Sequence, residues 1–285
     1  MTGTGLRAGV LGLGIIGSRV AARVETTGFP LAVWNRTART FDGLPPLVAD
    51  PADLARAADI LQIFVADDEA LRSTVNALFP ALGPNHVVIS NATVAPHTVR
   101  ELAAQVTARG AAFLDAPFTG SRDAAAQGQI TYYIGGDADA LERARPVLAA
   151  SAKSIVPCGE MIGQASAVKI ATNIMAAAAA VSLSEAVHLL RANGVDPQML
   201  VTALENNAAR SGVTDLKLPC MLGDDYAPRF SVRSMRKDLR LALEAGAPEN
   251  RTLTAAMLAL YHTACEAGLA EEDFAAVTKV RHAAD

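Results

Sequence analysis

Cysteine is scarce in this 285-residue chain, and the three present, Cys158, Cys220 and Cys265, stand far apart. None forms a CxxC pair or has a histidine beside it, so neither a disulfide framework nor a metal site is expected. They read as small apolar packing residues. Positive charge is not in excess: the formal net charge is −4, which gives no reason to expect a nucleic-acid partner. A secretory leader is not expected either, because Met1 to Gly5 is short and polar. The longest apolar stretch, Ile170 to Leu190, is broken by Thr172, Asn173, Ser182, Ser184, Glu185 and His188. It reads as a buried helix rather than a membrane span. The expectation is a soluble, cytoplasmic protein with no membrane partner. Repeats and low-complexity segments are also lacking.

What is present suffices for a sizeable core and two domains. From Leu6 to about Pro157, short apolar strands alternate with helical patterns, as an α/β fold with a doubly wound parallel sheet requires. The candidate strands are Ala8–Leu11, Leu31–Trp34, Ile60–Val65, Val87–Ser90, Ala112–Asp115 and Thr131–Gly135. Pro51–Ala58, Glu69–Leu78 and Pro96–Arg109 read as helices between them. Then Gln164 to Ala192 reads as one long alanine-rich helix ended by Asn193-Gly194. The run Ala176–Ala180 suits close approach of another helix. Beyond it all is helical: Asp196-Pro197 starts a helix, Pro219 and Pro228 interrupt, and Phe230–Glu244 resumes. The expected division is a nucleotide-binding domain over 1–162 and an all-α domain over 163–285 that includes the long interdomain helix. So long an apolar helix on a small all-α domain would expose apolar surface, and a homodimer is expected, with a tetramer as the larger alternative.

Gly12-Leu13-Gly14-Ile15-Ile16-Gly17 lies between the first strand and a helical pattern from Ser18 to Val24. There the first glycine allows a tight turn, the second lets the backbone approach a pyrophosphate, and the third lets helix pack on strand. The phosphates would rest on the N–H groups and positive dipole end of the helix. The second strand ends in Asn35-Arg36-Thr37, with no carboxylate to hold a ribose 2′-hydroxyl. Arg36 can pair with a 2′-phosphate while Asn35 and Thr37 add hydrogen bonds, which favours NADP(H) over NAD(H). An ordinary polar loop is the alternative.

Four further segments carry reactive side chains. Lys169 sits in the apolar stretch Ala165–Ala171, with Asn173 one turn on. It either snorkels to water or donates a proton to a carbonyl oxygen gaining charge during reduction. Asp115-Ala116-Pro117-Phe118-Thr119-Gly120-Ser121-Arg122 follows a strand, where ligands of such sheets bind. Its hydroxyls suit a carboxylate, or cap the next helix. Lys237-Asp238-Leu239 is a helix segment whose charges otherwise form a solvated face. Thr93, beyond the fourth strand, contacts a nicotinamide ribose or caps the following helix.

Together these segments resemble the β-hydroxyacid dehydrogenase family over nearly the whole chain. Gly12–Gly17 is similar to the family's GLGxMG, with Ile16 for methionine. Asp115–Gly120 is similar to D-x-P-x-S-G, and Lys237-Asp238-Leu239 to K-D-L. Gly163 through Lys169 to Asn173 is similar to the family's G-x-x-x-K-x-x-x-N helix start, with K-x-x-x-N in register at 169–173 and Gly163 six positions before the lysine. Ala92-Thr93 lies where the family has Ser-Thr. The resemblance, nearest in motif to the glyoxylate/succinic semialdehyde reductases, implies hydride transfer between NADP(H) and the carbonyl of a small carboxylic acid. It implies Lys169 as the acid/base, Asn173 as its partner, and Thr119, Gly120 and Ser121 as a carboxylate cradle. Lys237 would close over substrate or cofactor, and Thr93, Val65 and Ala66 would line the cofactor. Thr119, Thr172 and Ser90 depart from the family pattern and bear on the substrate. An imine reductase of the same fold, or a non-catalytic NADP-binding module, is the alternative.

Overall fold

Four-residue apolar runs, too short for helices and bounded by turn residues, form the strands at the heart of the first unit. In the computed structural model, which describes residues 5–246 and 251–280, β1 (Ala8–Leu11), β3 (Ile60–Ile63) and β4 (Val87–Ser90) are buried along their whole length. With β2 (Leu31–Trp34) and β5 (Ala112–Asp115) they form a parallel set in the order β2-β1-β3-β4-β5. Strands buried on both faces need helices on both sides. The leucines and valines of α2 (Pro51–Ala57), α3 (Asp68–Leu78) and α4 (Pro96–Thr107) cover one face. The other face is covered by α1 (Gly17–Thr26) and α6 (Ala138–Ala149). Asp50, Asp67 and Asp137 each accept an N–H of the turn they precede, at Asp53, Ala70 and Ala140, so the starts of α2, α3 and α6 are written in sequence.

The far side of the sheet is less regular than expected. After β5 the chain continues into β6 (Phe118–Thr119), and both pair antiparallel with β7 (Ile130–Gly135). Strand β8 (Ala152–Gly159), not among the candidate strands of the sequence, pairs parallel with β7. A short helix, α5 (Arg122–Ala126), joins β6 to β7.

Helix α7 (Gln164–Ala192) spans the range expected of it, 29 residues. It crosses the boundary between two compact units, Met1–Lys169 and Ile170–Asp285. In the second unit Ala177, Ala180, Leu183 and Val187 of α7 are buried against α9 (Gly212–Gly223), α10 (Val232–Ala245) and α11 (Thr252–Glu266). A short helix, α8 (Met199–Leu204), begins two residues after Asp196-Pro197 rather than at it. Pro219 does not interrupt as its ring predicts. It lies inside α9, where the capping box of Ser211 and Thr214 starts the helix and Leu218, Cys220 and Met221 bury its face. The buried Lys217 ammonium pairs with Asp273 at 2.8 Å and lies 4.3 Å from the Phe274 ring centre, which fixes the terminal 3₁₀ turn Phe274–Lys279 on α9.

Gln62 interrupts this order. It sits mid-β3, opposite Val10 and Ile89, with no exposed surface and no hydrogen-bond partner for either amide atom among the described residues. An unsatisfied buried amide costs about 1–3 kcal/mol. Gln62→Met keeps the volume and removes the penalty, so the urea midpoint should rise by the equivalent of ~1–2 kcal/mol; a lower midpoint would show that the amide has a polar task.

Candidate active site and cofactor loop

The strand order reverses between β1 and β3, and crevices at such points receive ligands outside the strands' carboxyl ends. The glycine turn occupies this place. A Cβ on Gly12, at φ +89°, would stand 2.0 Å from the Phe64 carbonyl oxygen just beyond β3. One on Gly17 would stand 2.0 Å from the Gly12 carbonyl and 3.1 Å from the Phe64 side chain. At Gly14 nothing lies within 4 Å. Thus Gly12 and Gly17 serve the turn and the packing, while Gly14 leaves backbone open to a ligand. No side chain caps α1 and no acid stands in its first turn, so its positive end is offered outward. Leu13 is buried, whereas Ile15 is 64% exposed and Ile16 half-buried. These features fit a dinucleotide pyrophosphate.

Asn35 ties two parts of the cofactor loop together. Its Oδ1 accepts the Leu13 N–H at 2.8 Å and its Nδ2 donates to the Thr37 carbonyl at 2.8 Å, joining the glycine turn to the end of β2. Arg39 adds a second tie, Nη2 to the Leu13 carbonyl at 3.2 Å. The sequence reading passed over Arg39, although its charge three residues from Arg36 was visible. Arg36 and Thr37 are exposed in the same turn. Strand β3 ends at Ile63, so Val65 and Ala66 lie in the loop after it, beside the glycine turn's neighbour Phe64. Thr93 lies two residues before Ala95, the N-cap of α4, whose own side chain makes no cap; Asp68 accepts the Ala95 N–H and the Thr98 hydroxyl.

The loop after β5 divides its tasks. Asp115 is fully buried: Oδ2 accepts N–H bonds from Gly163 (3.1 Å) and Ser166 (2.8 Å), and Oδ1 accepts the Ser166 hydroxyl at 2.7 Å. Burial raises its pKa to about 6, against the lowering by those bonds and by Arg100. Thr119 is exposed on β6, and Gly120 follows it. Ser121 is the N-cap of α5, accepting the Ala124 N–H at 3.2 Å. Arg122 pairs with exposed Asp123.

Lys169 is 9% exposed on α7, and Asn173 is buried one turn later on the same helix. Little of this side chain reaches water. In the second unit the Asn173 amide donates to Asp238 Oδ2, and Lys237 Nζ lies 3.1 Å from Asp238 Oδ1. Asp238 is buried on α10, so this charge is not part of a solvated face. The sequence reading gave it no role, because its link to Asn173 spans 65 positions.

A family profile described as the NAD binding domain of 6-phosphogluconate dehydrogenase matches residues 7–163. A second, described as NAD-binding of NADP-dependent 3-hydroxyisobutyrate dehydrogenase, matches 163–281. The chain belongs to the β-hydroxyacid dehydrogenase family. It is 32% identical, over 97% of its length and 79% of the relative's, to glyoxylate/succinic semialdehyde reductase 2 of Arabidopsis thaliana. It is 30% identical to the NAD-dependent L-serine dehydrogenase of Pseudomonas aeruginosa, over 95% and 96% of the two chains. Among solved structures, 3-hydroxyisobutyrate dehydrogenase of Mycobacterium tuberculosis with L-serine superposes at TM-score 0.87 with 25% identity, covering 96% of this chain and 98% of that one. An imine reductase from Myxococcus stipitatus shares the fold alone, at TM-score 0.65 and 20% identity over 96% and 98% of the chains. Like its family, this β-hydroxyacid dehydrogenase is an NAD(P)-binding oxidoreductase of the type that acts on CH–OH groups.

Because Asn35 holds the glycine turn through both ends of its amide, Asn35→Ala should weaken NADH and NADPH binding by the same factor. Leaving the buried Leu13 N–H unpaired costs about 1–3 kcal/mol, or roughly 5- to 100-fold in Kd. Fluorescence titration with both cofactors checks this, and a selective loss would place Asn35 at the 2′ position instead.

Proposed function

We propose that this β-hydroxyacid dehydrogenase reduces a small semialdehyde or 2-oxo acid to the hydroxyacid with NADPH, reversibly. The observation that carries the reading is the covered Lys169, with Asn173 one turn away on the same helix. The cofactor, when bound, supplies or accepts the hydride. The chain's own part is to hold the carbonyl and to move the proton. Lys169 Nζ donates a proton to the carbonyl oxygen as negative charge develops there, and takes it back in the reverse direction. Asn173, held by Asp238, orients lysine or substrate through its amide. Lys237, kept near Asp238, closes over substrate or cofactor.

Thr119, Gly120 and Ser121 are the proposed carboxylate cradle. The Ser121 oxygen accepts the Ala124 N–H, which leaves its own proton to donate to a carboxylate. Thr119 carries a methyl beside its hydroxyl and narrows that end. Thr93, Val65 and Ala66 complete the cofactor lining. The relatives' names, which include semialdehyde, serine and hydroxyisobutyrate, support a short substrate with a carboxylate at one end.

The preference for NADP(H) rests on Arg36, exposed at the end of β2 with no carboxylate beside it in the turn. A domain boundary near 162/163, a cytoplasmic setting and a homodimer complete the proposal. The dimer is supported by apolar side chains that α7 leaves exposed, Met175 at 72% and Leu189 at 64%.

Arg36→Ala removes a charge that only the 2′-phosphate meets, so NADPH affinity should fall about 10- to 100-fold while NADH affinity changes little. Equal losses for both would sink the cofactor preference. Lys169→Ala should lower turnover at least about a hundredfold with cofactor affinity nearly intact. The assay follows NADPH absorbance with glyoxylate, succinic semialdehyde and other short oxo acids; normal turnover in this variant would falsify the acid/base role.

A further inference from the structure

The place of the Lys169 ammonium depends on how the first turn of α7 is held. Gly163 immediately precedes that turn and has no side chain to cap it. Its φ is +95°, and a Cβ there would meet Arg100 Nη1 at 3.0 Å and the Pro96 carbonyl at 3.1 Å. The start of α7 is therefore pressed against the start of α4. On another side, a Cβ on Gly135 at the end of β7 would meet the Met161 carbonyl at 3.2 Å and the Ala165 nitrogen at 3.3 Å. The cap itself comes from 48 and 51 residues away: the Asp115 carboxylate takes the Gly163 and Ser166 N–H groups and the Ser166 hydroxyl. Ser166 and Lys169 are three residues apart on one helix face, with Asn173 continuing the same stripe. Asp115 thus grips the row of side chains to which the lysine belongs.

We propose that Asp115 is a positioning residue for the reduction: it caps α7 from the end of β5, fixes the helix's rotation and register through Ser166, and so sets where Lys169 Nζ meets the carbonyl oxygen. The proposal rests on Lys169 as the acid/base. A misplacement of about 1 Å can cost on the order of a hundredfold in rate, so a hydrogen-bonded cap on the bearing helix affects kcat without touching substrate. The anion also complements the positive end of α7, which adds to its hold.

The test is a double-mutant cycle. Asp115→Ala should lower kcat about 10- to 100-fold, with NADPH Kd and substrate KM within about threefold of the parent. Asp115→Asn, whose carbonyl can take the two N–H groups and whose amide can donate to Ser166 Oγ, should restore most of that loss. In a Lys169→Ala background, Asp115→Ala should cost little further, because there is no ammonium left to misplace. A residue that merely keeps the enzyme folded would cost the same factor in both backgrounds, and that result overturns the proposal, as does an unchanged kcat in Asp115→Ala. If Asp115→Ala does not fold, Ser166→Ala carries the cycle. Losing one hydrogen bond of about 1 kcal/mol, it should lower kcat about fivefold only where Lys169 is present. Normal turnover of Lys169→Ala by itself would instead remove the acid/base reading beneath the proposal.

Discussion

A carboxylate with no exposed surface joins the sheet of the first unit to the helix that carries the candidate acid/base. Burying the Asp115 charge is costly, and three hydrogen bonds with the positive end of a long helix offset only part of that cost. The remainder is visible in its pKa, raised to about 6. Between roughly pH 4 and 6 the folded chain holds this proton more tightly than the unfolded chain does. Ionisation therefore removes stability as pH rises through that window, and none of this contribution is left above it. At neutral pH the charge persists because the N–H and hydroxyl bonds from Gly163 and Ser166, with Arg100, hold the pKa at about 6, below that pH.

The cofactor loop is built on the same economy of side chains. Gly12 and Gly17 are small because Phe64 and the turn's own backbone already fill the space, while Gly14 is small because the space must stay open. Asn35 uses both ends of its amide on backbone, and Arg39 holds Leu13 from the other direction. The turn is thus fixed by residues that need not touch the dinucleotide, which leaves Arg36 as the charged group in the turn without such a structural duty among the described contacts.

Much of this was legible in the amino-acid order, and the boundary of legibility is physical. Strands β1, β2, β4 and β5 begin and end as read, because each is a short apolar run with turns at both ends, whereas β3 stops at Ile63, two residues before the apolar run to Val65 does. Helix α7 was readable from its length and composition. Strands β6 and β8 were not, since a two-residue strand and an exposed edge strand carry little apolar pattern. Pro219 misled because tertiary burial of its neighbours outweighs a lost backbone bond. At the site, spacing located Lys169, Asn173 and the glycine turn. It could not link Asp115 to Ser166 or Asn173 to Asp238, for those pairs meet across 51 and 65 positions and no period in the chain encodes them.

Fold alone does not separate a carbonyl reductase from an imine reductase, since both are built on this frame. The charge on the reacting group does. Reducing a carbonyl leaves an alkoxide that needs a proton, and a covered ammonium supplies it while stabilising the developing negative charge. An iminium substrate arrives with a positive charge and loses it on receiving hydride. Beside a covered lysine ammonium such a cation would be repelled in the ground state, most strongly where water is excluded. With Lys169 as the proposed acid/base, substrates that become more negative during reduction are favoured, and a carboxylate elsewhere on the same molecule adds to that preference. In the proposed reaction a covered lysine selects oxo acids over imines by sign of charge, before shape is considered.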